Sequence, residues 1–505
     1  MSIATASDLE MAPARPLLMP LLSATACVAL ADWLFYDWQI GISLALFLGV
    51  LGAVAVAGNR VHATRTVQIV MAAIFAAGLL ALIEDVNVLS VILSTLAIAL
   101  FVIVMTAREN SSWRWNLFEA AIAPLRGPFQ LVGDLFVALQ QMKQQAPEWL
   151  RMGSLIAWVV PLSVFAVFLG LFSSANPLIE HRLMQIDLRF LFNHSDLQRT
   201  LFWLFIACAI WPIIHRGIRR APVRKSEPST AVAAEPSEFD YLFGVQAMLR
   251  SLILFNALFA LQTGLDLVYL WGGAALPDGL TYAEYAHRGA YPLVATALLA
   301  AGFVLIAMRP GGPAEQSRLI RPLVLVWTGQ NILLVISSIL RLDLYVAAYS
   351  LTYLRLAAFI WMMLVAAGLL LMLIQMILKK SNSWLVAANA ATLALVLYGC
   401  CFVNAPRLIA SYNVEHSREA GGPGPNLDLR YLASLGSQAL PVLEAHMKEI
   451  PALWPIALDF RICLDRDRFR RLGNWRAWGF RAWCLERYLS NNPDTPSNSS
   501  DSGKG

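Results

Sequence analysis

Apolar runs of about 20 residues recur almost from one end of this chain to the other, and each is long enough to carry one helix across a bilayer. Eleven such runs are present: Leu17–Tyr36, Gln39–Ala57, Thr66–Ile83, Val88–Thr106, Met152–Ser173, Leu197–Ile214, Met248–Leu270, Tyr291–Met308, Leu323–Leu340, Leu351–Leu378 and Trp384–Val403. Lipid offers the backbone no hydrogen bonds, so a crossing segment must be a helix or part of a closed barrel. Runs this continuous, without polar alternation, select helices. The expected fold is all-α, a polytopic transmembrane bundle of eleven spans with a small helical extramembrane tail at the carboxyl end.

Composition agrees. Of 505 residues, 58% are apolar and 14% charged, where soluble domains run near ~45–50% and ~25%. Disorder, a fibrous repeat and a disulfide-stapled secreted scaffold are excluded. The net charge of +5 is gathered in basic clusters between apolar runs, which is a topology signal and argues against nucleic acid as a partner. The partners expected are the lipid bilayer and proteins whose identity the sequence does not give.

Orientation follows from Lys and Arg. With the amino terminus inside, eighteen basic residues fall in inside segments and six in short outside ones, a threefold bias of the kind that sets topology. An odd span count then places the carboxyl terminus outside.

The chain divides accordingly. Residues 1–16 form an amino-terminal tail and 17–107 the first four spans, two helical hairpins with Trp33, Tyr36 and Trp38 at the first turn. Residues 108–151 mix Trp113, Trp115, Phe118 and Phe129 with basic side chains, the pattern of an amphipathic helix pair on the inner surface. Spans five and six fill 152–218. A Pro-bearing linker occupies 219–238, and spans seven to eleven fill 239–403. Residues 404–490 form a helical extramembrane domain, with helices expected over Asn426–Gly436, Ala439–His446 and Arg468–Leu489. Residues 491–505 are Ser/Asn/Asp/Gly-rich and expected to be disordered.

Ionisable and amide side chains inside spans are the candidate functional groups, because hydrocarbon tolerates them poorly. Asn256, Gln262, Asp266 and Tyr269 lie in the seventh span, and the last three share one helix face. A cation site or proton relay is one reading, and a hydrogen-bonded interhelical contact is the other. Thr281-x-x-Glu284 is a capping box, with His287 and Arg288 three and four residues beyond Glu284. Between the ninth and tenth spans, Arg341, Tyr349 and Thr352 precede Arg355, which needs an anionic or carbonyl partner. Asp266 and Glu284 are candidates for it, in either a structural ion pair or a clamp for a substrate carboxylate. His181, Asp187, His194 and Asp196, in the loop 176–196, match no metal motif. Cys463 and Cys484 are candidates for a disulfide if the tail is outside. The chain carries no P-loop, GxGxxG, HExxH or GxSxG motif, and no cofactor is implied.

Several stretches together resemble a bacterial multi-pass membrane family described as domain of unknown function 4173. They are Tyr282–Gly289, Arg341–Arg355, Asn404–Asn413, Leu427–Leu432 and the Trp475–Trp478 run. A sister family of similar design, number 4153, shares the Leu351-Thr352-x-x-Arg355 element. The resemblance runs from Asn176 onward, and His287 stands where relatives are expected to carry arginine. It implies a helical protein of the bacterial cytoplasmic membrane and brings no activity.

Three functions remain. A non-enzymatic scaffold, sensor or envelope-assembly protein predicts intramembrane polar groups that pair with each other. A transporter or channel predicts a mid-membrane cavity lined by Gln262, Asp266, Arg355 and Asn256. An intramembrane enzyme predicts Glu284 and His287 as acid and base in one cleft.

Overall fold

The computed structural model describes residues 18–107, 112–145, 194–215, 245–272, 295, 299, 319–471 and 474–492. Among them every regular element is helical. Eight helices are long and apolar enough to cross a membrane, and the chain is a multi-pass membrane protein. Nine of the eleven expected spans have a described helix. Eight are full-length, while Ile42–Gly58 is a shorter apolar helix. Met152–Ser173 lies outside the described residues, as does all of Tyr291–Met308 except residues 295 and 299. The linker 219–238, the tails 1–16 and 493–505, and most of the loop 176–196 lie outside them too.

The chain forms two compact units, one of residues 1–223 and 473–483, the other of residues 224–472 and 484–505. In the first, α1 (Leu18–Phe35), α2 (Ile42–Gly58), α3 (Arg65–Glu84) and α4 (Val88–Thr106) run up and down. Asp37 turns α1 into α2 at a positive φ of 60°. Asn87 caps α4 through a reciprocal pair of 3.0 Å bonds with Ser90, so three residues suffice to reverse the chain. α3 and α4 meet through small side chains. Ser94 Oγ donates to the Gly78 carbonyl at 2.7 Å, and a Cβ on Gly78 would stand 2.9 Å from that of Ala97. Close backbone approach of this kind substitutes for the hydrophobic effect between helices in lipid.

α5 (Trp113–Gln145) is one helix, continuous through Pro124 and Pro128, where a helix pair was expected. It lies against α4 and α6 (His194–Ile214). Gln130 donates to the His215 carbonyl at 2.7 Å, and Trp211 donates to Asp134 at 2.9 Å. Asn59 reaches the Ile214 carbonyl, and His62 N–H the Met105 carbonyl, both at 2.9 Å. The ends of α2, α4 and α6 therefore lie together.

The opposite end of this unit holds the α1–α2 and α3–α4 turns, and there residues 474–483 dock. The Ile42 N–H donates to the Trp478 carbonyl at 2.7 Å. Arg481 reaches Glu84 at 3.3 Å and Asp85 at 3.2 Å. Arg476 stacks on Trp33 and Trp38, at 4.5 and 4.9 Å from the ring centres, a geometry that favours a guanidinium. This part of the tail and the start of α1 thus lie at opposite ends of the helices. The helix expected over Arg468–Leu489 is broken here: one helix ends at Arg471 and the next begins at Phe480, with a single 3-10 turn at Trp475–Ala477.

In the second unit, α7 (Val245–Leu265) continues into a π-helical turn, Asp266–Trp271. α8 (Ile320–Tyr349), α9 (Tyr353–Ile377) and α10 (Asn382–Phe402) follow. α8 has 30 residues, about 45 Å at 1.5 Å per residue, longer than a ~30 Å hydrocarbon core. It therefore takes in Arg341, Tyr345 and Tyr349, which were expected between spans. Thr352 and Ser381 cap α9 and α10. The tail helices α11 (Ala405–His416), α12 (Leu429–Ser434), α13 (Leu440–His446) and α14 (Trp454–Arg471) share one buried core with α8 and α9, built on Val346, Leu351, Ile409, Leu432 and Leu443. α15 (Phe480–Asn491) adds Leu489 to that core. Asp428, not Asn426, caps α12.

Candidate functional site

The α7–α8 contact concentrates polar side chains inside the second unit. Phe255 and Phe259 pack on Trp327 at ring distances of 5.4 and 5.9 Å. Beyond that contact Asp266 meets Arg341 in an ion pair. Residues 255 and 266 thus face 327 and 341, so the two helices run in the same direction. Asp266 is 1% exposed and Arg341 3%. Gln262 Nε2 donates to Asp266 Oδ1 at 3.0 Å, as the spacing of four residues allows.

Asp266 opens the π-helical turn, whose wide i to i+5 closure is completed by the Gly272 N–H on the Leu267 carbonyl at 2.8 Å. Such turns re-aim side chains and recur at functional sites. Here Trp271 is turned onto Ser337 Oγ at 3.3 Å. Asn256 lies ten residues before the carboxylate and donates to the Leu252 and Leu323 carbonyls at 2.7 and 3.2 Å.

Arg341 is the guanidinium on Asp266. Arg355 is held elsewhere. Its Nη1 donates to the Tyr349 carbonyl at 2.5 Å and to the Ser350 carbonyl, and its plane lies 4.5 Å from the centre of Tyr345. The partner required for Arg355 is thus a pair of backbone carbonyls in the α8–α9 turn. Ser350 takes a positive φ of 68° there, and Thr352 Oγ1 accepts from the Arg355 N–H at 3.4 Å. The tail grips the same turn. Asn413 Oδ1 accepts from the Leu351 N–H at 2.6 Å, and its Nδ2 donates to the Leu351 carbonyl at 2.9 Å. The Tyr353 N–H donates to the Tyr431 hydroxyl oxygen at 2.9 Å. Tyr349 itself is exposed.

Glu284, His287 and Arg288 lie outside the described residues. Cys463 and Cys484, the candidates for a disulfide, are exposed free thiols in this structure. Leu485 and Leu489 turn the buried side of α15 inward and leave Cys484 outward.

Sequence reading missed two groups. Thr328, Asn331 and Ser338 join the already named Arg341 in a buried polar stripe on α8, and their spacing of three and seven residues was a legible signal. Asp32, Arg199 and Trp203 join α1 to α6, with Arg199 Nε and Trp203 Nε1 donating to Asp32 Oδ1 at 2.9 and 2.8 Å. Only a lone carboxylate near a span end hinted at it.

A family model described as Domain of unknown function (DUF4153) matches residues 69–446. The chain belongs to this family rather than to number 4173, and the match reaches back into α3, well before Asn176. No curated protein and no solved structure matches the chain.

Proposed function

We propose that this DUF4153 member is a non-enzymatic protein of the bacterial cytoplasmic membrane, a scaffold or sensor. Its amino terminus faces the cytoplasm and its helical tail the outer side. The observation that carries this reading is the Asp266–Arg341 pair, two buried opposite charges in direct contact across α7 and α8. Arg355, the other cation considered for this site, is spent on backbone carbonyls. The threefold inside bias of Lys and Arg supports the orientation.

A charge exchange tests the pairing. Removing one partner of a buried pair costs about 3–5 kcal/mol, so Asp266→Ala and Arg341→Ala should each deplete the protein from the membrane. Asp266→Arg combined with Arg341→Asp should restore its level. Normal levels of either single variant would overturn the structural role.

A transporter is the second reading, and the π-helical turn beginning at Asp266 favours it. On that reading the exchanged pair would restore protein level while leaving substrate flux abolished.

A further inference from the structure

We propose that the seam between α7 and α8 binds a bare monovalent cation, sodium in preference to potassium, on neutral side-chain oxygens. Three amides line the seam, and their nitrogens are engaged. Asn256 Nδ2 donates to the Leu252 and Leu323 carbonyls at 2.7 and 3.2 Å. Gln330 Nε2 donates to the Asn256 carbonyl at 3.3 Å, and Asn331 Nδ2 to the Trp327 carbonyl at 2.7 Å. A carbonyl only accepts, so these contacts fix which end of each amide is nitrogen.

The oxygens are left over. Asn256 Oδ1, Gln330 Oε1 and Asn331 Oδ1 are buried and accept nothing from any described residue, and the Thr263 hydroxyl is likewise unpartnered. Asn331 is 1% exposed. The four lie along one seam. Gln330 touches the Asn256 backbone directly. Thr263 and Asn331 each stand four residues beyond the Phe259–Trp327 contact on helices that run the same way, which brings them to one level.

Buried acceptors without donors are rare in folded proteins and costly in a membrane. Thr328 shows the ordinary solution on the same helix, its hydroxyl bonded back to the Val324 carbonyl at 2.8 Å. Three amide oxygens that can only accept, beside a hydroxyl oxygen that can also accept, call for positive charge. These oxygens are shut off from solvent, so a small bare ion suits them better than a hydrated one, which favours sodium over potassium. Calcium and magnesium take carboxylates or retain waters. The carboxylate at the end of this seam, Asp266, is already paired with Arg341. Neutral oxygens replacing a hydration shell suit a monovalent ion. The proposal stands apart from the scaffold reading.

Thermal unfolding of the purified full-length protein in detergent tests it. Sodium, potassium and choline chloride would be titrated at constant ionic strength, with tryptophan fluorescence as the readout. The expected result is a saturable rise in Tm with sodium, a smaller one with potassium and none with choline. Asn331→Leu and the isosteric Thr263→Val should each abolish or weaken the sodium response. Asn389→Leu, an amide of α10 outside the seam, should keep it. Equal Tm in sodium and choline for the unaltered protein would overturn the proposal, whether or not the variants fold. So would an unchanged sodium response in both seam variants.

Discussion

A single side chain decides several contacts in this protein, and Asn413 is the clearest case. Its amide carries an accepting oxygen and a donating nitrogen, and Leu351 engages each of them once, so the side chain acts as a short piece of β-ladder. A buried group stripped of its partner costs roughly 1–3 kcal/mol, and Asn413→Ala orphans two backbone groups at once. The variant should lose stability in that range or above, measured by denaturant titration of the detergent-solubilised protein. Asn413→Asp keeps the acceptor alone and should fall between the two. Tyr488 gives a pH signature. Burial and a 2.8 Å hydrogen bond to Glu444 push its hydroxyl up to about 12, above the ordinary value near 10. Because the folded value is raised, the phenol contributes stability that is complete below pH 10 and is lost between about pH 10 and 12. The alkaline unfolding transition should therefore weaken in Tyr488→Phe, as seen by circular dichroism across that range. None of these partners was visible in the sequence. Spacing places residues on a helix face but does not say which carbonyl lies opposite.

Whole helices meet through what their surfaces lack as much as what they carry. Gly78 lets α3 approach α4 until a Cβ would stand 2.9 Å from Ala97. Gly78→Leu should separate the pair and lower the amount of folded protein in the membrane, by immunoblot, while Gly58→Leu, with open space at its Cβ, should not. Gly127 has the same role between α5 and α6, where an added Cβ would fall 1.9 Å from the Cys208 carbonyl oxygen. Element identity was largely legible beforehand. Val88–Thr106 was read to the residue, because an uninterrupted apolar run with an Asn–Ser cap has few alternatives. Ends set by tertiary contact were not. Leu323–Leu340 became Ile320–Tyr349 because Asp266 removes the penalty on burying Arg341, so the helix continues past a charge that would ordinarily end a span.

At the scale of the whole molecule, the tail separates into two commitments. Residues 474–483 cap the first unit at the end away from the start of α1, and α11 to α14 extend the core of the second. On the proposed orientation, with the amino terminus in the cytoplasm, residues 474–483 face the outer side and the tail is expected there. A membrane-impermeant maleimide added to intact spheroplasts should therefore label Cys463 and Cys484, both exposed thiols. Labelling only after lysis would reverse the orientation. By itself the sequence determined that the chain is helical, crosses a membrane repeatedly and ends in a helical tail. Those features follow from run length, hydropathy and the backbone's need for internal hydrogen bonds, all of which are local. Only the tertiary structure decided that Arg341 rather than Arg355 meets Asp266 and that the tail helices α11 to α14 share the core of α8 and α9. Those outcomes depend on which helices are neighbours and in what register. In lipid that choice is made by close packing and a few buried polar contacts, and neither is written in any one segment of the chain.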